Sequence, residues 1–377
     1  MGALTWPVLG TPLPPRHNWQ RTPRPAGGIA APLRFKVSHH NQAMRTLALL
    51  ILALLGPLEA SGQRGFAGLD LSRYAAPARL VDIGGRRLNL FCLGSGSPTV
   101  VFQTQLGEAA WGWALVHAEV AKHARACVYD RAGLGFSEPS IAPGTAMHAA
   151  NDMKELLDRA EERPPYLLVG ASYGALVARY FATKYPGSVS AMVLVDGHHE
   201  DEFDRINKLS GGKYALMMAS VEEHHQNCLA ASRRHISPRS PEYTSCVPPP
   251  PSFANRRLTG VNLSQFLSPH YWESALSEWQ SLHAASTQQV RSLDEKPTSI
   301  PVVALVRSVS PFAIPGRPPS ALNRAVEREN AKMQQETASL SLLGRTVVIP
   351  QAGHAIHLDN PRAVIQQVLL VHRSVRR

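Results

Sequence analysis

Acidic residues are missing from several stretches of this 377-residue chain, and two of them bear on its reading. Residues 1–45 hold Arg16, Arg21, Arg24, Arg34, Lys36 and Arg45 and no Asp or Glu. Part of the net charge of +11 is confined there, and the remainder is only mildly basic. Residues 307–320, RSVSPFAIPGRPPS, also lack an acid. No Lys/Arg run and no nucleic-acid-binding motif occurs, so the basic balance reads as a solvated surface and no nucleic-acid partner is expected. No ligand cluster has zinc-like spacing, and no metal is expected. Long apolar runs are absent as well. Leu47–Leu55 is nine residues long, against the ~20 needed to span a bilayer.

Cysteine is scarce, with four residues. Cys228 and Cys246 flank a polar, proline-containing segment with little apolar content, and a disulfide there is expected to hold it. Cys92 and Cys127 each lie in an apolar, strand-like run. A second bridge and a pair of buried thiols are both open for them.

Residues 1–43 are rich in Pro, Gly and Arg and show no hydrophobic periodicity, so no packed structure is expected. Met44-Arg45-Thr46 then precedes Leu47–Leu55, and small residues follow. Residues 44–62 thus have the layout of a secretory signal peptide. Ala60 and Gly62 take the −3 and −1 positions of a cut before Gln63. Met44 is expected to be the true start and residues 1–43 an artefact of start-site choice; a long leader is the alternative. The expected location is secreted or periplasmic.

From residue 63 on, the composition suits a packed α/β domain, with 44% of the chain hydrophobic. Short apolar runs predict strands at 80–83, 88–93, 99–103, 126–129, 166–169, 191–195, 302–306 and 346–349. Most of the later ones lack alternation, as strands buried on both faces do. Helical patterns at 151–163 (with Asn151 as N-cap), 174–185 and 361–372 fall between or after them. Strands alternating with helices imply a mostly parallel sheet covered on both faces. Residues 197–298 break the rhythm with no clear strand, and read as a helical insertion placed to form a lid.

The stretch GASYG, residues 170–174, lies between the 166–169 strand and the 174–185 helix. Strand, sharp turn and helix around a serine make a nucleophile elbow, which lifts Ser172 Oγ above the sheet edge. A serine hydroxyl needs a base. His354 stands on the loop after the last predicted strand, in the order Ser then His. His357 is the competitor, and reads as a packing histidine.

Three stretches carry a family resemblance: YDRAGLGFSEP (129–139), LLVGASYG (167–174) and AGHAIHLDNP (352–361). In this order the chain resembles the α/β-hydrolase superfamily of serine hydrolases over roughly residues 80–372. The resemblance implies an eight-stranded sheet with helices on both faces, a lid after the sixth strand, and hydrolysis through an acyl-enzyme without a cofactor. The chain departs from the pattern at Ala171, where His is frequent, and at Gln105, where Gly is frequent. Alignment of the turn on Trp113 implies Leu106 N–H and Tyr173 N–H as oxyanion donors. Asp130 and Arg131 are structural in the family. Ser137, His198 and His199 are either loop residues or substrate contacts.

The triad acid commonly follows the seventh strand in this superfamily, but residues 307–320 have none. Glu327 and Glu329 read as solvent-facing on a helix, and Asp294 and Glu295 precede the strand at its far end. Asp196 ends the sixth predicted strand, at the alternative superfamily position, and is the expected acid; the other reading is a residue that only ties down the insertion. The expected function is a serine hydrolase acting on an ester or similar acyl bond of a small molecule. A non-catalytic binding protein of the same fold is the alternative. Dehalogenase and epoxide hydrolase branches use an Asp nucleophile, and Ser172 argues against them.

Overall fold

The computed structural model describes residues 69–293, 298–313 and 317–376. The expected extension at 1–43, the signal-like segment at 44–62, and Asp294 and Glu295 lie outside the described residues.

Eight strands form one sheet: β1 (Arg79–Asp82), β2 (Arg87–Leu93), β3 (Thr99–Gln103), β4 (Ala126–Tyr129), β5 (Tyr166–Ala171), β6 (Val189–Val195), β7 (Val302–Arg307) and β8 (Arg345–Ile349). Their spatial order is β1-β2-β4-β3-β5-β6-β7-β8. β2 pairs antiparallel with β1 and β4, and every other pairing is parallel.

Side chains alternate between two apolar layers. Val100, Phe102, Leu167, Val169 and Val193 point into one layer, beneath Trp113, Leu115, Val364 and Val368. Val101, Leu168 and Leu194 point into the other, beneath Met153, Leu157, Leu176 and Phe181. Both faces are covered, so a central strand has no polar side to show, and alternation vanishes from the sequence. Each fully buried Val or Leu contributes about 1.5–3 kcal/mol relative to exposure. The edge strands differ. β8 is largely exposed, unlike the expectation for late strands, because nothing pairs beyond it.

Helix boundaries follow their caps. The helix expected at 151–163 runs Ala146–Arg159, and Thr145, not Asn151, caps it by accepting the His148 N–H. The apolar spacing locates the helix face but not its first turn. Pro361 opens Pro361–Val375, where the Asn360 side chain accepts the Ala363 N–H.

Between β6 and β7 the chain forms helices Glu202–Leu209, Lys213–Arg233, Tyr243–Cys246, Arg256–Leu267, Pro269–Ser281 and Thr287–Arg291. This is the expected helical insertion. Its small core gathers Cys228, Ile236, Cys246, Tyr271 and Trp272 around Leu134 of the domain body. Cys228 and Cys246 are bonded there, and Cys92 is bonded to Cys127 across the β2–β4 pair. The open question on the second pair thus resolves to a bridge. No helix among the described residues is long and apolar enough to cross a membrane.

Replacing Cys228 and Cys246 together by serine should lower unfolding free energy by about 3 kcal/mol, the value for a loop of this length. Urea melts of oxidised wild type and variant check it. A difference under about 0.5 kcal/mol would show the insertion holding itself without the bridge.

Candidate active site

β5 runs into residues 170–174, and helix Tyr173–Lys184 leaves them. Ser172 sits at φ +49°, ψ −117°, a conformation costly for a residue with a side chain. The turn is fixed by neighbours. Ser172 N–H donates to Val195 O at 3.1 Å, and Ser172 O accepts from His198 N–H at 3.0 Å. The flanking glycines are forced by space. A Cβ on Gly170 would lie 2.4 Å from Gly174 O, and one on Gly174 would lie 2.6 Å from Gln103 O. The motif GASYG is therefore the residue pattern that lets β5, β3 and the helix meet this closely.

Three of the sequence-predicted residues converge. His354 Nε2 lies 2.9 Å from Ser172 Oγ, and His354 Nδ1 lies 2.6 Å from Asp196 Oδ2. Asp196 is fully buried at the tip of β6, at φ +41°, a region Asp tolerates better than most residues. With Nδ1–H donated to a carboxylate, His354 presents the Nε2 lone pair to the serine hydroxyl.

Asp196 is not alone with His354. Arg307, at the end of β7, places Nη1 2.7 Å from the same Oδ2, and Asn330 Nδ2 donates to Oδ1 at 3.1 Å. Burial pushes the Asp196 pKa up, but Arg307 and His354 outweigh it, and the net shift is downward. Arg307 in turn rests on Glu327, with Nε 2.8 Å from Oε2. Glu327 is thus no solvent-facing acid: it turns inward to the cation beside Asp196, because Arg307 needs a second anion once buried. Glu329 pairs with Arg205 at 3.2 Å. Arg307 and Asn330 escaped the sequence reading. The one signal for Arg307 was a lone basic residue closing an apolar strand at an acid-free loop.

The turn after β3 is held from both sides. Arg131 donates from Nη1 to Thr104 O at 2.8 Å and from Nη2 to Gln105 O at 2.8 Å. Its other edge meets Glu278 of the insertion, Nε to Oε1 at 2.6 Å and Nη2 to Oε2 at 2.9 Å. Glu278 Oε2 also accepts Gly107 N–H at 2.8 Å, and Glu108 Oε2 accepts Gln105 N–H at 3.2 Å. The donors on either side of Leu106 are therefore committed. Among the described residues neither Leu106 N–H nor Tyr173 N–H has an acceptor, which leaves both available to a ligand.

Asp130, Ser137, His357 and His199 make their contacts within the protein. Asp130 accepts Ala110 N–H at 2.7 Å, Phe136 N–H at 3.0 Å and Asn89 Nδ2 at 2.8 Å. Ser137 Oγ donates to Asp130 O at 2.6 Å. His357 is fully buried, stacks on Trp113 with centroids 4.5 Å apart, and lies 3.1 Å from Glu108 Oε1. His199 joins Glu200 and Glu336 in an ion-pair network. Among the described residues, Cys92, Cys127 and Glu162 are the one group close enough to share an ion, and their disulfide removes the thiolates such a site would use.

This chain belongs to the α/β hydrolase fold family, whose family model matches residues 98–361. Over 119 residues it is 31% identical to protein YbdG of Bacillus subtilis, covering 31% of this chain and 37% of that protein. Over 125 residues it is 34% identical to the 2-hydroxy-6-oxo-2,4-heptadienoate hydrolase of Pseudomonas putida, covering 31% of this chain and 43% of that protein. A thermophilic esterase from Thermogutta terrifontis is similar in structure, with TM-score 0.51 and 19% identity over 80% of this chain and 99% of that one. That likeness concerns the fold alone. The two curated relatives are matched over about two fifths of their length.

Arg307→Met should destabilise the protein by about 3–5 kcal/mol at pH 7, since it strips a buried carboxylate of its cation. The sign with pH follows from Asp196. In the wild type its pKa is depressed, so its stabilising contribution is complete above the unfolded value near 4 and is lost as pH falls through the folded value. Without Arg307 burial dominates and the carboxyl protonates more readily. The deficit should therefore be largest near neutrality and shrink toward pH 4. Urea melts across that range check it; a deficit independent of pH would mean that Arg307 acts only by packing.

Proposed function

We propose that this chain is a serine hydrolase that cleaves an ester or similar acyl bond of a small molecule. The observation that carries this is His354 bridging Ser172 Oγ and the buried Asp196 carboxylate. A binding protein has no use for a hydroxyl, an imidazole and a desolvated carboxylate in this order.

In the proposed reaction Ser172 Oγ attacks the acyl carbon while its proton passes to His354 Nε2. Asp196 holds the Nδ1–H and stabilises the imidazolium. Leu106 and Tyr173 N–H groups take the negative charge that forms on the acyl oxygen. His354 returns the proton to the leaving group, and water then releases the acyl group by the same steps in reverse. Arg307, sharing Oδ2 with His354, keeps Asp196 ionised but weakens its pull on the imidazolium. The helical insertion acts as a lid. Glu278 ties that lid to the oxyanion turn, so lid position and turn shape are set by one ion pair.

The rival reading is a non-catalytic binding protein, which the departures at Gln105 and Ala171 would favour. Gln105 is compatible with catalysis: its N–H goes to Glu108 Oε2, and Leu106 N–H has no acceptor among the described residues. The two disulfides and the signal-like segment support a secreted or periplasmic protein. The mature chain is then expected to start near Gln63, and N-terminal sequencing of exported protein tests this; functional protein that keeps Met1 would contradict it.

Ser172→Ala should abolish fluorophosphonate labelling and ester hydrolysis while circular dichroism shows an intact fold. Labelling that persists would place the nucleophile elsewhere. Asp196→Asn should cut kcat by ~10⁴, as loss of the orienting acid does in serine proteases. Near-normal turnover in that variant would mean that His354 needs no acid.

A further inference from the structure

A second polar group lies next to Ser172 and takes no part in the proposed chemistry. His198 follows Asp196 by two residues, its backbone N–H is the one bonded to Ser172 O, and the residue is 5% exposed. Its Nδ1 lies 3.0 Å from Glu202 Oε2. The other Glu202 oxygen accepts the Tyr214 hydroxyl at 3.2 Å. Beside this pair stands His283, its ring centroid 5.1 Å from that of His198 and 5.1 Å from that of Phe203. His283 sits on a five-residue π-helical segment, Leu282–Ser286, a distortion frequent at functional sites.

Three ring nitrogens here are out of solvent and have no partner among the described residues: His198 Nε2 and both nitrogens of His283. Folded proteins leave few buried polar atoms unpaired, and a group of three adjacent ones calls for an occupant. The chemistry of that occupant follows from the protonation states. Burial raises the Glu202 pKa, but His198, Arg307 and His354 together outweigh it and the net shift is downward. Glu202 is therefore ionised and lies within electrostatic reach of His354. Its Oε2 takes the Nδ1–H of His198, so Nε2 is the ring nitrogen of His198 left without a partner among the described residues. Burial lowers the His283 pKa to about 3. A neutral imidazole has one N–H and one lone pair. His283 thus offers one donor and one acceptor, and His198 Nε2 adds a third unpaired polar atom beside them.

A plain alkyl chain satisfies none of these, and an ester oxygen satisfies only the donor. A carboxylate cannot donate and would meet the Glu202 charge. An ammonium cannot accept. A hydroxyl or an amide group does both without charge. We propose that His198 and His283 form a polar subsite beside Ser172 that binds an uncharged hydroxyl or amide group of the substrate. Resting on the serine-hydrolase reading above, this makes the substrate a hydroxylated or amide-bearing acyl compound and not a simple alkyl ester.

The test pairs kinetics with a readout that needs no turnover. Wild type and His283→Phe, which keeps an aromatic ring among Phe203, Tyr214 and Trp279, are compared on p-nitrophenyl 4-acetamidobutyrate and p-nitrophenyl heptanoate. These acyl chains have equal length. The wild type should favour the amide ester at least ~10-fold in kcat/KM, and His283→Phe should bring the ratio below ~3-fold. In parallel, full-length Ser172→Ala protein labelled with ¹⁵N-histidine is titrated with methyl 4-acetamidobutyrate and with methyl heptanoate. The first should shift the ring ¹⁵N signals of His198 and His283, each assigned by the loss of one set in Ser172→Ala/His198→Phe and Ser172→Ala/His283→Phe; the second should not. Equal shifts with both esters, or no shift at millimolar ligand together with an amide preference near unity, would overturn the subsite. If the wild type neither hydrolyses nor labels, the hydrolase reading falls, and the ¹⁵N titration alone decides the subsite: selective shifts support it, their absence ends it.

Discussion

The arrangement around Ser172 depends on keeping one carboxylate charged inside the protein. Asp196 has no exposed surface, and a carboxylate in that position would ordinarily take up a proton. Three partners from three parts of the chain prevent this: Arg307 from β7, Asn330 from helix Ala321–Ala338, and His354 from the loop after β8. Each is held in turn by its own element. The C-terminal third of the domain can therefore be read as a frame built around one negative charge. Removing any partner leaves that charge short of compensation, a costlier fault than removing an apolar contact.

The second organising pair lies across the site. Arg131 and Glu278 are both buried, and between them they bind the carbonyls of Thr104 and Gln105 and the N–H of Gly107. The turn is shaped here by a side chain that pins its carbonyls. This gives a physical account of how the turn accommodates Gln105 while Leu106 N–H has no acceptor among the described residues. It also means that the insertion is no loose attachment. Helix Pro269–Ser281 supplies Glu278 to the turn, and its apolar side packs on Leu134.

Much of the fold was legible beforehand. Eight apolar runs, the loss of alternation in the central strands and the glycines around Ser172 all follow from local constraints: burial on both faces, and close approach of backbones. Helix starts were less legible. Thr145 and Asn151 are both competent caps, and the burial of Ala146, Ala149 and Ala150 in the extra first turns selects the earlier one. Ser172, His354 and Asp196 could be named because each sits at the end of an element with a recognisable pattern.

Their companions could not be named. Arg307 and Asp196 are 111 residues apart, Arg131 and Glu278 are 147 apart, and nothing local marks either pair. A charged residue in a sequence looks the same whether it faces water or a buried partner, so only its place beside Arg307 distinguishes Glu327 from a surface acid. The unpaired nitrogens of His198 and His283 belong to the same class, since an absence of partners exists only once every neighbour has a position. The sequence by itself determined the strand–turn–helix at Ser172, the order of the three converging residues and the place of the insertion, because backbone geometry and hydrophobic burial act over a few residues. The tertiary structure alone decided which charges meet, which turn atoms stay open and which buried atoms lack a partner, because electrostatic pairing and desolvation depend on distance in space and not on distance along the chain.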